Sequence, residues 1–405
     1  MYVSHLSLRN FRNYRELELP LQPGTTLFYG PNAAGKTTLL EALYYLATTR
    51  SPRTSADREL INWDTTADLG IAPFTRMVTN VMRRAANAKD EKLLIELVVQ
   101  RKQDAGGNMM PMTQKTIRIN KTARRALDLV GQLRVVLFTP LDIELLTGPP
   151  ADRRRWLDVM LSQLDGRYVR ALAEYNKALL QRNALLRSWR DQRHSRSRSF
   201  SLDEARRQLQ FWDKQLTSNG AYIIAERQQA MQQIAELGAP IHLDIAGVPQ
   251  MLKISYVGTI EAKDAKDAKD ERGGLQQSFA ACLERGLREE LDRGQTLIGP
   301  HRDDVICRLD DVDIGVYGSR GQQRSLTLAL KLAEAELMRT RTGDAPVLLL
   351  DDILSELDAA RRAHLLQFID RPNQQTLMTA ADLADFDPSF LAHISRVRVE
   401  HGRVL

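Results

Sequence analysis

Eight residues near the start of the chain have the spacing of a phosphate-binding loop. The segment 30–37 reads G-P-N-A-A-G-K-T, which fits the pattern G-x-x-x-x-G-K-[ST]. Its backbone N–H groups and the positive end of the following helix would face phosphates, with the lysine at the β- and γ-phosphates and the threonine at Mg²⁺. We predict a nucleotide-binding site formed by Gly30, Pro31, Asn32, Ala33, Ala34, Gly35, Lys36, Thr37 and Thr38.

Carboxylates that could complete this site lie near the other end of the chain. Four apolar residues, 347–350, lead to Asp351 and Asp352. We expect Asp351 to bind Mg²⁺ together with Thr37, and Asp352 to orient or deprotonate the attacking water. About 315 residues separate Lys36 from Asp351, so the sequence implies a large insertion between the two halves of one site.

A second anion-binding feature comes shortly before those carboxylates. The segment 319–322, S-R-G-Q, opens a helix, and serine and glycine backbone at a helix N-terminus can bind anions. Taken singly, such a turn is usually only a helix cap. The order and spacing of loop, turn and acidic strand end together indicate one nucleotide-hydrolysing site.

Composition limits the class of protein. The chain has 405 residues, of which 43% are hydrophobic, enough for two or three domains with their own cores. No apolar run approaches the roughly 20 residues that span a bilayer, and the N-terminus does not read as a signal peptide, so we expect a cytoplasmic protein. Cys282 and Cys307 lack metal-ligand spacing and are interpreted as reduced thiols.

The hydrophobic pattern divides the chain into an α/β head and a helical arm. Short β-like runs at 93–99, 116–119 and 133–138 accompany the loop. From residue 165 apolar residues recur at helical spacing, interrupted at Arg182. A second heptad series, from Leu202 to Leu237, indicates an antiparallel, coiled-coil-like pair of helices with Gly220 as a candidate break. We predict an ATPase head at 1–160 and 291–405, the arm at 161–290, and a solvated loop at 262–270.

Positive charge is concentrated at the start of the arm. Residues 167–198 contain nine basic and two acidic side chains, whereas the whole chain has a net charge of +6. Lysine and arginine on one face neutralise DNA phosphates, although a solvated helical face is the alternative for any one of them. The candidate DNA contacts are Arg153, Arg154 and Arg155 beside the head, and Arg182, Arg187, Arg190 and Arg193 on the arm.

The combined motifs resemble those of ATP-binding-cassette (ABC) ATPases. Further stretches are similar to the RecF family of bacterial recombination proteins, in the SMC-like branch of that group. These stretches are 8–14 (L-R-N-F-R-N-Y), 140–158 and 299–304 (G-P-H-R-D-D). The similarity covers both ends and the middle of the chain and is weakest over about 165–285. One departure is Ala33, where the family usually has glycine.

The resemblance implies an ATP-dependent homodimer, in which Ser319, Gly321 and Gln322 of one subunit contact the γ-phosphate bound by the other. It places Thr379 where a sensor histidine often stands, with a plain strand-end hydroxyl as the alternative. The catalytic candidates are then Lys36, Asp352 and Thr379. Because Asp352 is shorter than the glutamate common in related ATPases, we expect slow turnover and a switch. The resemblance implies a weak ATPase that DNA stimulates.

The resemblance also implies partners in recombinational repair and replication restart. These are gapped or single-strand/double-strand junction DNA, and RecO and RecR, with which such a protein places RecA on DNA. Two other classes of function stay open. An SMC-like ATPase that handles chromosomes or DNA ends would use the same head, but this arm is short for the coiled coils of those proteins. An ABC transporter subunit would be distinguished by needing a membrane component instead of binding DNA.

Overall fold

Strands from both ends of the chain build the sheets of one of two units. The computed structural model describes residues 1–66, 71–84, 90–104, 108–194, 201–260, 271–384 and 386–405. Unit 1 contains residues 1–143, 237–249 and 324–405, and unit 2 contains residues 144–236 and 250–323. The boundaries expected at 160 and 290 therefore lie instead at 143 and 323. Unit 2 extends beyond the predicted arm because flanking segments form hydrogen bonds with the arm. For example, Arg227 donates to the Pro300 carbonyl at 2.6 Å.

The first sheet of unit 1 is antiparallel. Its strands are β1 (Tyr2–Phe11), β2 (Tyr14–Pro20), β4 (Phe74–Arg84), β5 (Asp90–Gln103), β6 (Met109–Ile119) and β7 (Thr122–Arg124). They are arranged in the order β2-β1-β4-β5-β6-β7. Alternate residues of β5, including Ile95, Leu97 and Val99, are buried, as expected for a sheet with one face on the core.

The second sheet of unit 1 joins the two ends of the chain. Its strands are β3 (Thr25–Tyr29), β8 (Val135–Phe138), β12 (Val347–Asp351), β13 (Thr376–Ala380), β14 (Ser395–Glu400) and β15 (Arg403–Val404). In the order β15-β14-β3-β13-β12-β8, β3 pairs in parallel with both β13 and β14. The strands predicted at 93–99, 116–119 and 133–138 are confirmed as parts of β5, β6 and β8.

Helix α1 (Lys36–Thr48) packs in the core of unit 1. Leu39, Leu43 and Leu46 of α1 belong to one buried cluster with residues of both sheets, among them Leu97 and Leu349. The other helices that lie wholly or mostly in unit 1 are α2 (Ala126–Leu129), α9 (Arg320–Thr342), α10 (Ala359–Ile369) and α11 (Pro388–Ala392).

Unit 2 contains the arm and a small sheet. Its helices are α3 (Glu144–Thr147), α4 (Pro150–Leu164), α5 (Gly166–His194), α6 (Leu202–Ala246, whose last turns belong to unit 1), α7 (Glu271–Arg293) and α8 (Ile314–Tyr317). Strands β9 (Leu252–Val257), β10 (Asp304–Leu309) and β11 (Val312–Asp313) form an antiparallel sheet in the order β11-β10-β9. The run at 262–270, interpreted as a solvated loop, lies outside the described residues.

The arm is a group of three helices, and the expected pair is only part of it. Helices α5 and α6 run antiparallel as expected, because Tyr168 contacts Arg227 near one end and Arg182 contacts Asp213 further along. Helix α7 packs on both. One buried cluster draws on all three helices and contains Leu186, Trp189, Ala205, Leu209, Leu287 and Leu291.

Gly220 does not break α6, contrary to expectation. A Cβ atom at this position would lie 2.5 Å from the ring of Phe279 in α7 and 3.2 Å from the ring of Tyr175 in α5. The glycine therefore allows the three helices to approach closely at this level. Its small size is used for packing, and the helical hydrogen bonds continue through it.

Candidate nucleotide-binding site

The loop between β3 and α1 depends on glycine at two positions. Gly30 has φ 145° and Gly35 has φ 115°, backbone conformations that other residues rarely adopt. A Cβ atom at Gly30 would lie 2.2 Å from the Val399 carbonyl oxygen, and one at Gly35 would lie 2.6 Å from the Asn13 side chain. These contacts explain why the predicted pattern requires glycine at both positions.

Two neighbouring turns hold the loop in place. The Tyr14 hydroxyl donates to the Gly35 carbonyl at 3.1 Å, and the Asn13 amide donates to the Ala34 carbonyl at 3.2 Å. The backbone N–H of Gly402, between β14 and β15, donates to the same Ala34 carbonyl at 2.9 Å. Burial raises the pKa of Tyr14, which keeps its hydroxyl protonated as a donor. These three hydrogen bonds therefore fix the Ala34 and Gly35 carbonyl groups of the loop.

Asp351 and Thr37 meet at the start of α1, as the sequence predicts. The Thr37 hydroxyl donates to Asp351 Oδ1 at 2.7 Å, although the two residues lie at opposite ends of the chain. Neighbouring oxygens of an octahedral Mg²⁺ shell, at 2.0–2.1 Å from the metal, lie about 2.9 Å apart. A hydroxyl and a carboxylate at this separation fit two adjacent ligand positions of Mg²⁺.

Thr379 joins the two acidic residues. It pairs with Asp351 in the parallel register of β12 and β13. Its buried hydroxyl donates to Asp351 Oδ1 at 2.9 Å and accepts from the backbone N–H of Asp352, also at 2.9 Å. Asp352 itself is exposed and has φ 52°, so the chain turns sharply directly after the strand. Thr379 therefore holds the Asp351 carboxylate and the backbone of Asp352, and its role as a sensor stays a prediction.

Lys36 extends along its own loop. Its ammonium group donates to the carbonyl oxygens of Gly30 at 2.6 Å and Pro31 at 2.9 Å. Burial lowers the pKa of Lys36, and the nearby carboxylates of Asp352 and Asp351 partly oppose that shift. The ammonium group therefore lies between the loop and the acidic strand end, where the β- and γ-phosphates of a nucleotide would be bound.

An open cavity of about 710 Å³ lies at the loop; the predicted residues Gly30, Pro31 and Asp351 do not line it. Its size is within the range of small-molecule sites. The predicted residues that line it are Asn32, Ala33, Ala34, Gly35, Lys36, Thr37, Thr38, Asp352 and Thr379. Further lining residues that the sequence did not reveal are Arg12, Asn13, Arg53, Asn62, Trp63, Asp64 and Ala381.

The additional residues had only a weak signal in the sequence. Arg12 and Asn13 lie within the 8–14 stretch on which the family resemblance rests, and this could have marked them. The Arg12 guanidinium binds the buried Glu41 carboxylate of α1 at 2.7 Å. Asn62 and Trp63 follow a short 3₁₀ turn and carry no recognisable spacing. Only the folded chain brings them to the cavity.

The turn at 319–322, which we call the signature turn, belongs to unit 2. The Ser319 N–H donates to the Gln322 side chain at 2.9 Å, and the Gln322 N–H donates to the Ser319 hydroxyl at 3.3 Å. This reciprocal pair has the geometry of a capping box at the start of α9. The contact of Ser319, Gly321 and Gln322 with a nucleotide on another subunit stays a prediction.

Arg182 cannot contact DNA as predicted, because it is buried within the arm. Its guanidinium pairs with Asp213 at 2.6 Å and with Glu290 at 2.7 Å, and it donates to the Thr296 hydroxyl at 2.9 Å. Although burial opposes the charge, these carboxylates raise the pKa of Arg182. Arg182 also lies in the buried seam of α5, so it does not interrupt the apolar pattern as expected. It links α5 to α6 and α7.

Two other candidate DNA contacts are engaged within unit 2. Arg153 forms a two-pronged ion pair with Asp304, at 2.6 and 2.9 Å, and Arg154 donates to the Asp303 carbonyl at 2.8 Å. Asp303 also accepts from the Tyr256 hydroxyl and the Thr259 N–H. These bonds assign Arg153 and Arg154 to holding α4 against the small sheet.

The remaining candidates lie nearer to solvent. Arg155 and Arg187 are exposed, and Arg190 is half-buried and pairs with Asp191 at 2.9 Å. The side chain of Arg193 lies outside what the structure describes. Of the helices within the described ranges, none has the length and hydropathy of a bilayer-spanning segment.

Comparisons with known proteins agree with this geometry. Residues 2–386 match the family model described as the RecF/RecN/SMC N terminal domain. The DNA replication and repair protein RecF of Chloroflexus aurantiacus is 53% identical over 100% of this chain and 99% of its own. RecF of Roseiflexus castenholzii is 54% identical over the same shares of the two chains.

Solved structures of related proteins also resemble this chain. The recombination mediator protein RecF-ATP in the RecFOR pathway has a TM-score of 0.81 and 29% identity, covering 100% of this chain and 97% of that chain. An Smc head domain from Pyrococcus furiosus, at 15% identity and a TM-score of 0.52, shares the fold alone. The predicted ABC/SMC-type P-loop head with a helical arm is confirmed. The chain belongs to the RecF family of DNA replication and repair proteins.

Proposed function

We propose that this protein is an ATP-dependent DNA-binding switch of recombinational repair and replication restart. In this proposal it dimerises with ATP, binds gapped or single-strand/double-strand junction DNA, and helps RecO and RecR to load RecA. The observation that carries the proposal is the meeting of Thr37, Asp351 and Thr379 at a phosphate-binding loop. The relatives named RecF and the solved RecF-ATP structure support the same assignment.

The loop residues and the acidic strand end divide the work of binding ATP. Backbone N–H groups at the start of α1 bind the phosphates, and Lys36 binds the β- and γ-phosphates in place of its present carbonyl partners. Thr37 and Asp351 would hold Mg²⁺, which would supply positive charge next to the phosphates. Thr379 keeps Asp351 oriented toward Thr37.

Asp352 is the proposed acceptor for the proton of the attacking water. It lines the cavity, and its N–H is fixed by Thr379 at 2.9 Å. Its carboxylate is exposed and carried on a side chain that is shorter than glutamate, so it reaches less far toward an attacking water. We therefore propose slow ATP hydrolysis, which DNA stimulates, so that bound ATP sets the state of the protein. Turnover at the rate of a motor ATPase would contradict this proposal.

The signature residues provide the link to a second subunit. Ser319, Gly321 and Gln322 stand at the N-terminus of α9, where backbone N–H groups favour anions. We propose that they bind the γ-phosphate held by the partner, so that ATP is shared by two heads. DNA phosphates are then bound by the solvent-facing arginines Arg155, Arg187 and Arg190, with Arg193 retained as a candidate.

Gapped-DNA binding with and without MgATP tests the switch. The parent protein is expected to bind more tightly with MgATP, and Lys36→Met is expected to lose that gain while it stays folded. Lys102→Met, which removes an exposed lysine of the first sheet, is the matched control and should behave as the parent. If Lys36→Met responds to MgATP as the parent does, the switch proposal is wrong.

The salt dependence of DNA affinity tests the contact residues. Each phosphate contact that is removed lowers the slope of log affinity against log salt by about 0.9 on duplex DNA. Replacing Arg155, Arg187 and Arg190 together with glutamine should therefore flatten the slope by roughly 2–3. An unchanged slope would place the DNA contact on another surface.

A further inference from the structure

We infer that Trp63 binds the nucleobase of ATP by stacking its indole ring against adenine. This inference rests on the proposed ATP binding and names the residue that contacts the base. It is carried by three observations: the order of strands around the loop, the bonds that fix residues 62–64, and the exposure of the Trp63 ring inside the cavity.

The strand order gives the bound nucleotide a direction. Strands β13 and β12, which end at Thr379 and Asp351, lie on one side of β3, and the β14-β15 hairpin lies on the other. Gly402, in the turn of that hairpin, packs against Asn13 so closely that a Cβ atom would lie 2.4 Å from the Asn13 carbonyl oxygen. The turn between β1 and β2 is therefore on the side opposite to Asp351.

The nucleoside must extend toward that turn. Thr37 and Asp351, which would hold Mg²⁺, mark the end of the site where the γ-phosphate would lie. The remaining phosphate and the nucleoside leave the loop on the other side. The lining residues there are the Arg12–Asn13 turn and the segment 62–64, which is bonded to it.

Residues 62–64 form a fixed support on which the indole is presented. The buried Asn62 side chain donates to the Arg12 carbonyl at 2.5 Å and accepts from the Asp64 N–H at 3.1 Å. The Asn62 backbone N–H donates to the Asn10 carbonyl at 2.8 Å. The Asp64 carboxylate binds Arg15 at 3.0 Å. Both neighbours of Trp63 are thus tied to the β1-β2 turn, which leaves the indole as the group that projects from it.

Among the described residues that line the cavity, Trp63 is the one aromatic residue, and it is 85% exposed. The exposed indole beside a phosphate-binding loop offers a large flat face that a ligand can cover. A flat aromatic surface at the nucleoside end of a phosphate site matches a nucleobase, because bases bind aromatic rings by stacking. Stacking alone tolerates any base but favours the larger purine ring system.

Binding of MgATP and of magnesium tripolyphosphate, which lacks the nucleoside, tests the inference. We expect Trp63→Ala to weaken MgATP binding about 5- to 150-fold and to leave tripolyphosphate binding unchanged. Trp63→Phe should keep MgATP affinity within about threefold of the parent, since the phenyl ring also stacks. The parent should prefer MgATP to MgCTP, and Trp63→Ala should lose that preference.

Intrinsic fluorescence gives a second readout. The chain has four tryptophans. Because adenine stacks on Trp63 in this proposal, ATP should quench the tryptophan fluorescence of the parent. The quench should vanish in Trp63→Phe but persist in the control Trp212→Phe. Equal MgATP affinities of the parent and Trp63→Ala would overturn the inference and leave the proposed function intact. An equal loss of MgATP and tripolyphosphate in Trp63→Ala would show that Trp63 only shapes the loop, which also overturns it.

One further result would assign Trp63 differently. If Trp63→Ala binds MgATP as the parent does but no longer forms an ATP-dependent dimer, Trp63 is a subunit contact and the inference is wrong. If the parent binds neither MgATP nor tripolyphosphate, the proposed function fails together with the inference.

Discussion

The arm of unit 2 and the cavity of unit 1 use the same kinds of charged residue in opposite ways. In the arm, Arg182 is buried against Asp213 and Glu290, and Arg227 is buried against Asp158 at 2.7 Å. In the cavity, the Lys36 ammonium contacts neutral carbonyl groups of its own loop, and the Asp352 carboxylate is exposed. One set of charges is neutralised within the chain and the other faces an open cavity.

This difference separates structural charge from functional charge. A buried charge is tolerated only when its partners are close, so the arm residues must be judged by what they hold together. Charges at a glycine-dependent loop beside an open cavity have room for a ligand. The buried arginines Arg182 and Arg227 therefore contribute to stability, and the cavity residues contribute to binding.

Loss of Arg182 is expected to have the largest effect. Arg182→Met should lower the free energy of unfolding by about 3–5 kcal/mol, because it leaves Glu290 buried without its partner. Arg187→Met, at an exposed position of the same helix, should change it by less than about 0.5 kcal/mol. Urea unfolding measures both. If Arg182→Met is as stable as the parent but no longer binds DNA, Arg182 contacts DNA and its structural role is wrong.

Comparing alanine substitutions at Gly30 and Gly24 measures how much the contact between the loop and β14 restricts residue 30. Gly30→Ala and Gly24→Ala both place a side chain at positive φ, but only at Gly30 would the Cβ atom meet backbone, 2.2 Å from the Val399 oxygen. We expect Gly30→Ala to cost about 1–3 kcal/mol more than Gly24→Ala, and to weaken MgATP binding as well. Equal stability and equal affinity in the two variants would argue against a loop held by β14.

The buried polar groups of the arm should make its stability depend on pH. His301 accepts from the Tyr175 hydroxyl at 2.7 Å and donates to the Thr296 carbonyl, and burial lowers its pKa to about 4. The unfolded chain takes up a proton near pH 6.5, whereas the folded chain does so near pH 4. Stability is therefore full above pH 6.5 and is lost as the pH falls toward 4.

Unfolding free energies at pH 7 and pH 5 measure this loss. For His301 it is about 2 kcal/mol between these two values. His301→Gln should reduce the difference between pH 7 and pH 5 by that amount. The same pH dependence in His301→Gln as in the parent would show that His301 is not the group responsible.

The smallest expected effect concerns Ala33, which has φ 63°. Ala33→Gly removes the strain of a left-handed alanine but adds freedom to the unfolded chain, so we expect a net stabilisation of about 0.5 kcal/mol. Ala34→Gly, one residue later at negative φ, should instead destabilise by about 1 kcal/mol. Thermal unfolding compares the two, and equal effects would contradict the conformational explanation.

The sequence predicted the cavity better than the arm. Gly30, Gly35, Lys36 and Thr37 are neighbours along the chain, so their spacing alone defined the loop. Asp351 was recognisable because it ends a run of apolar residues. The register that pairs it with Thr379 follows once the two strands are parallel. The sequence pattern was sufficient to predict site residues that are neighbours along the chain or that end a recognisable strand.

The arm required information that no local pattern contains. Arg182 reads as one of nine basic residues, and its partners Asp213 and Glu290 lie in two other helices. Gly220 reads as a helix breaker because its neighbours Phe279 and Tyr175 are distant in sequence. Trp63 carried no signal for the same reason. Burial, close approach and cavity shape are properties of the folded chain.

In our proposal, bound ATP converts this chain from a monomer to a dimer. Sedimentation velocity of the parent and of Lys36→Met, each with and without MgATP, tests it most directly. We predict that the parent is a monomer without nucleotide and a dimer with MgATP, and that Lys36→Met stays a monomer in both conditions. A parent that has the same oligomeric state with and without MgATP would contradict the account.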